Sequence, residues 1–447
     1  MEKIDLVTPV EKAIHMLSKF DLDFYDVSAF YVRSLRISIM GRGINEASSR
    51  VDIGIGVRAF KNKGMGTAYS QSLDDSDIEV TVKQAVGFAR VSQPDPYFKG
   101  IPGPSKAPEV PDLCDEEIVD LTLDNAVQIP RDMIDAAESV RSGGMYHGGF
   151  NASHVKACLM TSTGVSIEAE KTIASAYIQP VYRRGDDVGS SYEFDYGISL
   201  AEIDPRKIGK KAAEKAIEQF GSRKIESGTL PVILSPESAG SLFSSLLSAL
   251  SGEPAVKGRT FASKLLGKRI GPEILEILDD GTIPGAIASS TYDGEGVPKR
   301  PLKVVDQGVV LTFLHNYYSA GIMNVESTGH AIRGSYGGNV GAGPSNIRVS
   351  PGNSTLDEMI SETKRGILVI NASFTPNMVS GELSTTIDEG FLIENGEKKY
   401  PIKNLMVGGH ILSLLENIEL ISKEGRTFGK GYFFPSIKIR EVKLSGK

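Results

Sequence analysis

The chain has 447 residues, and with 40% hydrophobic content it can hold two or three domains with cores of their own. A formal net charge of −7 and a pI near 5.6 supply no general basic field for a phosphate backbone, which disfavours nucleic acid as a direct partner. The opening Met1-Glu-Lys-Ile-Asp5 is neither a signal peptide nor an Arg-rich transit pattern, and no run approaches the roughly twenty apolar residues of a membrane span, so the expected location is the cytoplasm. Cys114 and Cys158 form no CxxC pair and no disulfide framework, and both are expected as buried free thiols.

A first helix is expected over residues 8–19, followed by a strand in which Leu35, Ile37 and Ile39 alternate with Arg36 and Ser38. A second strand alternates Val51, Ile53, Ile55 and Val57 with Asp52, Gly54, Gly56 and Arg58, and Asn62-Lys-Gly64 turns it into a partner around 65–69. Ile78, Val82, Ala85, Val86 and Ala89 then form one helical stripe. Helix, hairpin and helix in that order imply an antiparallel sheet covered on one face, hence an α+β class. Six prolines between 94 and 111 make the next segment an extended connection. Two helices over 115–140 and a group of strands between Tyr146 and Ser199 follow. A helix from Pro205 to Phe220 is capped by Asp204 and stopped by Gly221. The Gly221-Ser-Arg-Lys224 segment is the expected boundary between an N-terminal α+β domain (1–222) and a C-terminal β-rich domain (223–447).

The second half opens on one distinctive helix, from Ser235 to Glu253. Ser235 is placed to cap it, Pro236 sits where its missing N–H costs nothing, Glu237 meets the positive end of the dipole, and Gly252 supplies a left-handed stop. Ala239, Leu242, Phe243, Leu246, Leu247 and Leu250 make one apolar stripe. Ser238, Ser241, Ser244, Ser245, Ser248 and Ser251 make the opposite face, with no charge between Glu237 and Glu253. An uncharged serine face implies close approach to other backbone or to a partner surface.

Beyond it, glycines from Gly281 to Gly343 punctuate short β-like runs, as in a strongly bent sheet or partial barrel with few helices. Asp306-Gln-Gly308 and Glu394-Asn-Gly396 are readable hairpin turns. The glycine-rich 337–343 stretch lacks the Lys-Ser/Thr ending of a phosphate loop and is expected to be a bent strand or loop. The six histidines, His15, His147, His154, His315, His330 and His410, include no pair three to five apart, and HExxH, G-x-S-x-G and the P-loop motif are absent. Asp293-Gly-Glu295, beside Lys299 and Arg300, and Asp388-Glu389 are acidic loops for which water-facing turns are the default reading.

Four blocks in series resemble the TldD/PmbA family, known as modulators of DNA gyrase and as two-subunit metalloproteases. They are Gly54-Ile-Gly-Val-Arg-Ala-Phe-Lys-Asn-Lys-Gly64; the helix ending Leu250-Ser-Gly-Glu253; Tyr292-Asp-Gly-Glu-Gly-Val-Pro298 with Leu314-His-Asn-Tyr-Tyr-Ser-Ala320; and Gly390-Phe-Leu-Ile-Glu-Asn-Gly-Glu-Lys-Lys-Tyr-Pro401. The resemblance implies that one subunit type, TldD, carries zinc on an H-E-x-x-x-H helix and a later cysteine, while the PmbA/TldE type lacks them. Counted from Leu250-Ser-Gly-Glu253, the motif's His, Glu and His fall on Phe243, Ser244 and Ser248, and by the Gly429-Lys-Gly431 neighbourhood the later cysteine falls on Phe428. A phenyl ring has no lone pair for zinc, and a neutral serine hydroxyl is a poor ligand and no general base.

The chain is therefore similar to the PmbA/TldE half. That likeness implies no catalytic, cofactor or metal residue in this chain, zinc in a TldD-type partner subunit, small unfolded or modified peptides as substrates, and a homodimer when isolated. The alternatives are a regulatory protein acting on DNA gyrase without peptidase activity, against which the acidic balance and the lack of a basic block count, and a self-sufficient peptidase using His315, His330 or His410 with a carboxylate.

Overall fold

Asn62 and Lys63 take positive φ, 51° and 65°, and turn one long strand back on the next. In the computed structural model, which describes residues 4–446, the first half comprises α1 (Val7–Leu17), β1 (Phe24–Gly41), β2 (Gly43–Lys61), β3 (Gly64–Ser70), α2 (Asp75–Val91), α3 (Glu116–Asp120), α4 (Leu123–Ala126), α5 (Gln128–Val140), β4 (Met145–Thr161), β5 (Ser166–Arg184), β6 (Asp187–Ser190), β7 (Glu193–Gly197) and α6 (Pro205–Glu218). The strands form one antiparallel sheet in the order β3-β2-β1-β4-β5-β6, with β7 also on β5. Residues 92–111 contain no helix or strand, as their prolines require.

The alternation on β1 explains its packing. Leu35, Ile37 and Ile39 are buried with residues of α5 and α6, while Val27, Ala29 and Tyr31, on the same face, are buried with α1 and α2. Helices thus cover one side of the sheet. The other side is partly covered by the second half of the chain, so Asp26 and Ser28 are buried too. β1 begins at Phe24, eleven residues before Leu35, and there Asp26 and Ser28 alternate with Val27 and Ala29 although all four are buried.

The second half comprises β8 (Gly228–Leu234), α7 (Pro236–Ala249), α8 (Gly252–Val256), β9 (Ile277–Asp280), β10 (Pro301–Asp306), β11 (Val309–Val310), α9 (Tyr317–Met323), β12 (Ala331–Arg333), β13 (Val340–Ala342), β14 (Ile347–Val349), α10 (Leu356–Ser361), β15 (Arg365–Asn371), β16 (Glu382–Thr386), β17 (Glu389–Glu394), β18 (Glu397–Pro401), β19 (Met406–His410), α11 (Ile411–Glu416), β20 (Ile418–Phe428) and β21 (Tyr432–Ser445). Twelve strands form a mixed sheet along β11-β10-β9-β14-β21-β8-β15-β17-β18, with β19 and β20 attached to β21 and β16 to β19. It does not close into a barrel. β21 is the spine, pairing with β8, β14, β19 and β20. The hairpin turns form as expected, with positive φ at Gln307 and Gly308 and at Asn395 and Gly396. The apolar stripe of α7 lies in the largest core, among Val232, Leu234, Ile367, Ile437 and Ile439.

The two sheets are joined by buried charge and by close backbone contact. Arg58 reaches Asp26 at 2.6 Å and Glu295 at 3.6 Å, and Arg333 reaches Asp26 at 3.1 Å. A Cβ on Gly56 would overlap the Tyr336 carbonyl oxygen, and one on Gly54 would meet the Tyr336 ring at 2.6 Å. Those two glycines exist because the 334–339 loop lies directly on β2. The glycine-rich stretch is therefore a docking loop and the short β12–β13 hairpin.

Two expectations are corrected. Cys114 is exposed, because it lies at the end of the proline-rich connection where that segment crosses the edge of β5; Cys158 is buried, and burial pushes its thiol up to about 12. The acidic loop at Asp293 and Glu295 does not face water: Asp293 accepts the backbone N–H groups of Glu295, Val297 and Ala331, and Glu295 accepts that of Tyr317. Among the described residues, no helix is long and apolar enough to cross a membrane.

Candidate functional site

The site is organised by α7. Ser235 caps it, accepting the Ser238 N–H at 3.3 Å. Gly252, at φ 61°, ends the turn that follows it and starts α8. The serine face meets backbone, as its lack of charge implies. At the end of β15 and just beyond it, Ile370, Ala372 and Phe374 take serine hydroxyls of α7 as backbone partners. Ser235 Oγ and Ser238 Oγ donate to the Ile370 carbonyl, at 2.6 and 3.1 Å. Ser238 Oγ accepts the Ala372 N–H, Ser241 Oγ accepts the Phe374 N–H, and Ser245 Oγ donates to the Phe374 carbonyl. Ser238→Ala leaves the buried Ala372 N–H without its acceptor, an expected loss of about 1–3 kcal/mol in a guanidinium melt, whereas Ser248→Ala, at an exposed position, should stay within about 0.5 kcal/mol of wild type.

On another side of α7 lies an open groove of about 440 Å³. Its floor is Pro236, Glu237, Gly240 and Ser244, and its walls are Tyr192, Phe194 and Tyr196 from around β7, with Phe428, Tyr432 and Phe434 from the β20–β21 hairpin. The rings stack in series: Phe428 on Phe194 at 5.8 Å, Phe194 on Tyr196 at 5.9 Å, and Tyr432 on Phe434 at 6.2 Å. Gly240 is required here, since a Cβ would meet the Phe434 ring at 2.7 Å. Arg426 ties the two halves of the chain together under the groove. It donates to Glu237 and to Glu193 at 2.6 Å each and lies over the Phe194 and Phe428 rings. Burial works against the Glu193 carboxylate, but Lys215 at 2.7 Å and Arg426 together hold its carboxyl below the usual range.

The structure separates the four positions named from the family motif. Phe243 is wholly inside the C-terminal core, Ser244 is half-buried in the groove, and Ser248 is exposed. Phe243 and Ser248 stand five residues apart, about 140° around an α-helix, and point to different sides. Phe428 is buried and shares the groove with Ser244. The residues that share this groove with Ser244 on the same helix are Pro236, Glu237 and Gly240. The aromatic wall belongs to no local motif, although Tyr192, Phe194 and Tyr196 at alternate positions are a legible strand-face signal.

The donor set of the groove does not fit zinc. Its lining offers no imidazole and no thiol, and its one carboxylate, Glu237, is held by Arg426. His315, His330 and His410 do not supply the lack. His315 bonds Ser319 inside the core, where burial and nearby His330 hold its pKa at about 4. His330 bonds Asp279 and Thr328, and His410 caps α11 by accepting the Leu412 N–H. Glu389 is also interior, bonded to Ser191, Asn371 and Gln219, while burial raises its carboxyl and that of its neighbour Asp388.

The two-sheet α+β fold is a known architecture. Residues 25–89, 116–220 and 227–446 match, in order, domain 1, the central domain and the C-terminal domain of the PmbA/TldA metallopeptidases. The chain belongs to the PmbA/TldD family. It is 24% identical over 433 residues to the metalloprotease PmbA of Escherichia coli O157:H7, covering 95% of this chain and 93% of that one. To a zinc metalloprotease TldD homolog of Saccharolobus solfataricus it is 25% identical over 422 residues, covering 89% and 91%. The crystal structure of TldE from Thermococcus kodakarensis superposes with a TM-score of 0.89 at 27% identity, over 98% of this chain and all of that one.

Proposed function

We propose that this chain is a PmbA/TldE-type subunit of a two-component metalloprotease, without the peptidase zinc site, acting on small unfolded or modified peptides. The observation that carries this reading is the chemistry of the groove over α7: six aromatic rings, a serine and an ion-paired glutamate, with no ligand able to hold zinc. Such a surface can hold a peptide by stacking and backbone contact, yet it has no means of activating water. The zinc, and with it the hydrolytic step, then belongs to a TldD-type partner subunit. The similarity to TldE supports the same assignment. The isolated chain is proposed to be a homodimer.

Supplied with zinc, the purified chain is expected to leave unstructured peptides intact, as read by mass spectrometry after prolonged incubation. Hydrolysis by this chain alone that disappears in Glu237→Gln would contradict the reading, since it would place catalysis in the groove.

A further inference from the structure

Away from the groove, three side chains of ligand type converge. Cys114, His154 and Glu170 each place one donor atom within 4.8 Å of the others, the one such grouping among the described residues. The backbone holds them there. β4 and β5 pair His154 with Thr172 and Lys156 with Glu170, so His154 and Glu170 are diagonal neighbours on one face of the sheet. Thr172 also fixes the cysteine: its N–H donates to the Leu113 carbonyl at 3.0 Å, and its Oγ1 accepts the Asp115 N–H at 2.9 Å. One residue thus grips the chain on both sides of Cys114.

The histidine is buried and already oriented toward the carboxylate. It is 4% exposed, its Nε2 lies 2.6 Å from Glu170 Oε1, and its Nδ1 is buried with no partner. Nε2 already faces the carboxylate and is the nitrogen that can take an ion between them, while Nδ1 is without a partner in either state.

We propose that Cys114, His154 and Glu170 bind one divalent cation of the zinc class. Thiolate, imidazole and carboxylate together are the donor set of a borderline-soft ion. Bonds of about 2.3 Å to sulfur and about 2.0–2.2 Å to nitrogen and oxygen put tetrahedral ligands roughly 3.3–3.8 Å apart, so the His154–Glu170 contact opens by about 1 Å and the sulfur moves in. Lys156, whose Nζ lies 3.3 Å from Glu170 Oε1, gives up that carboxylate to the ion. Cys114 binds as the thiolate and releases its proton to solvent. Cys114 and Glu170 line a cavity of about 940 Å³ together with Lys171, Lys299 and Arg333, which leaves the fourth coordination position for water or an anionic ligand from that cavity. The site is distinct from the groove over α7 and does not depend on the peptidase reading.

The test is cobalt titration of the chelator-stripped full-length chain, followed by zinc. One equivalent of Co²⁺ should give thiolate-to-metal charge transfer in the near ultraviolet, which zinc displaces. Cys114→Ser should lose the charge-transfer band, His154→Gln and Glu170→Gln should weaken binding by about tenfold or more, and Cys158→Ser should leave the spectrum unchanged. Because a variant could misfold, the wild-type protein is also read directly: saturating zinc should slow alkylation of Cys114 by iodoacetamide about tenfold or more. No saturable cobalt binding, a charge-transfer band that survives in Cys114→Ser, or alkylation indifferent to zinc would overturn the site.

Discussion

Asp26→Asn is expected to destabilise the protein by about 3–5 kcal/mol, because it leaves two buried guanidinium groups short of their shared carboxylate. Asp26 is 1% exposed and takes Arg58 on one side and Arg333 on the other, so it joins the two sheets through a single side chain. Burial works against its charge, but Arg58 and Arg333 together outweigh burial and hold its carboxyl below the usual range. Its folded pKa is therefore the lower one. The stabilisation is complete above the unfolded value of about 3.9 and is lost as pH falls through the folded value. Glu295 has the opposite sign: burial raises its carboxyl despite Arg58, so its contribution is present at low pH and fades as pH rises through its folded pKa. Guanidinium melts of wild type and Asp26→Asn should differ most near neutral pH and converge on acidification below about pH 4. A difference that is independent of pH would mean that the Asp26 charge contributes nothing.

Arg426→Met is expected to lower stability by about 3 kcal/mol and to disorganise the groove as well. Glu193 is 3% exposed and keeps Lys215 as a partner, which places the loss toward the lower end for a broken buried pair. Glu237 loses its ion pair, and the Phe194 and Phe428 rings lose the planar cation packed over both. Lysine should restore only part of this, since it cannot bridge two carboxylates as a planar fork does. A melt of Arg426→Met matching wild type would show that the aromatic stack holds the groove unaided.

The two large effects involve residues that sequence reasoning did not single out. Local signals were readable: the Asn62-Lys-Gly64 and Asn395-Gly396 turns, the Asp204 cap with its Gly221 stop, and the start of α7 at Ser235. The serine face of α7 also carried a correct physical message, because a face without charge meets backbone, here at Ile370, Ala372 and Phe374. What escaped was non-local. The burial of Asp26 and Ser28 on β1 depends on the second half of the chain, and Gly54 and Gly56 make sense only once Tyr336, some 280 residues later, lies on them. The groove draws its walls from residues 192–196 and 428–434 and its floor from 236–244, so no single window of sequence contains it. Spacing could name Phe243, Ser244 and Ser248, but the turn of the helix decides that only Ser244 faces Phe428.

The central claim, that this chain completes a protease whose zinc is held elsewhere, is tested most directly by mixing it with a TldD-type subunit. Size-exclusion chromatography of the mixture, with a peptidase assay on each fraction, should show a co-eluting complex that cleaves an unstructured peptide at a rate neither subunit reaches alone. Cleavage by the TldD-type subunit that is unchanged by this chain, with no co-elution, would contradict the account.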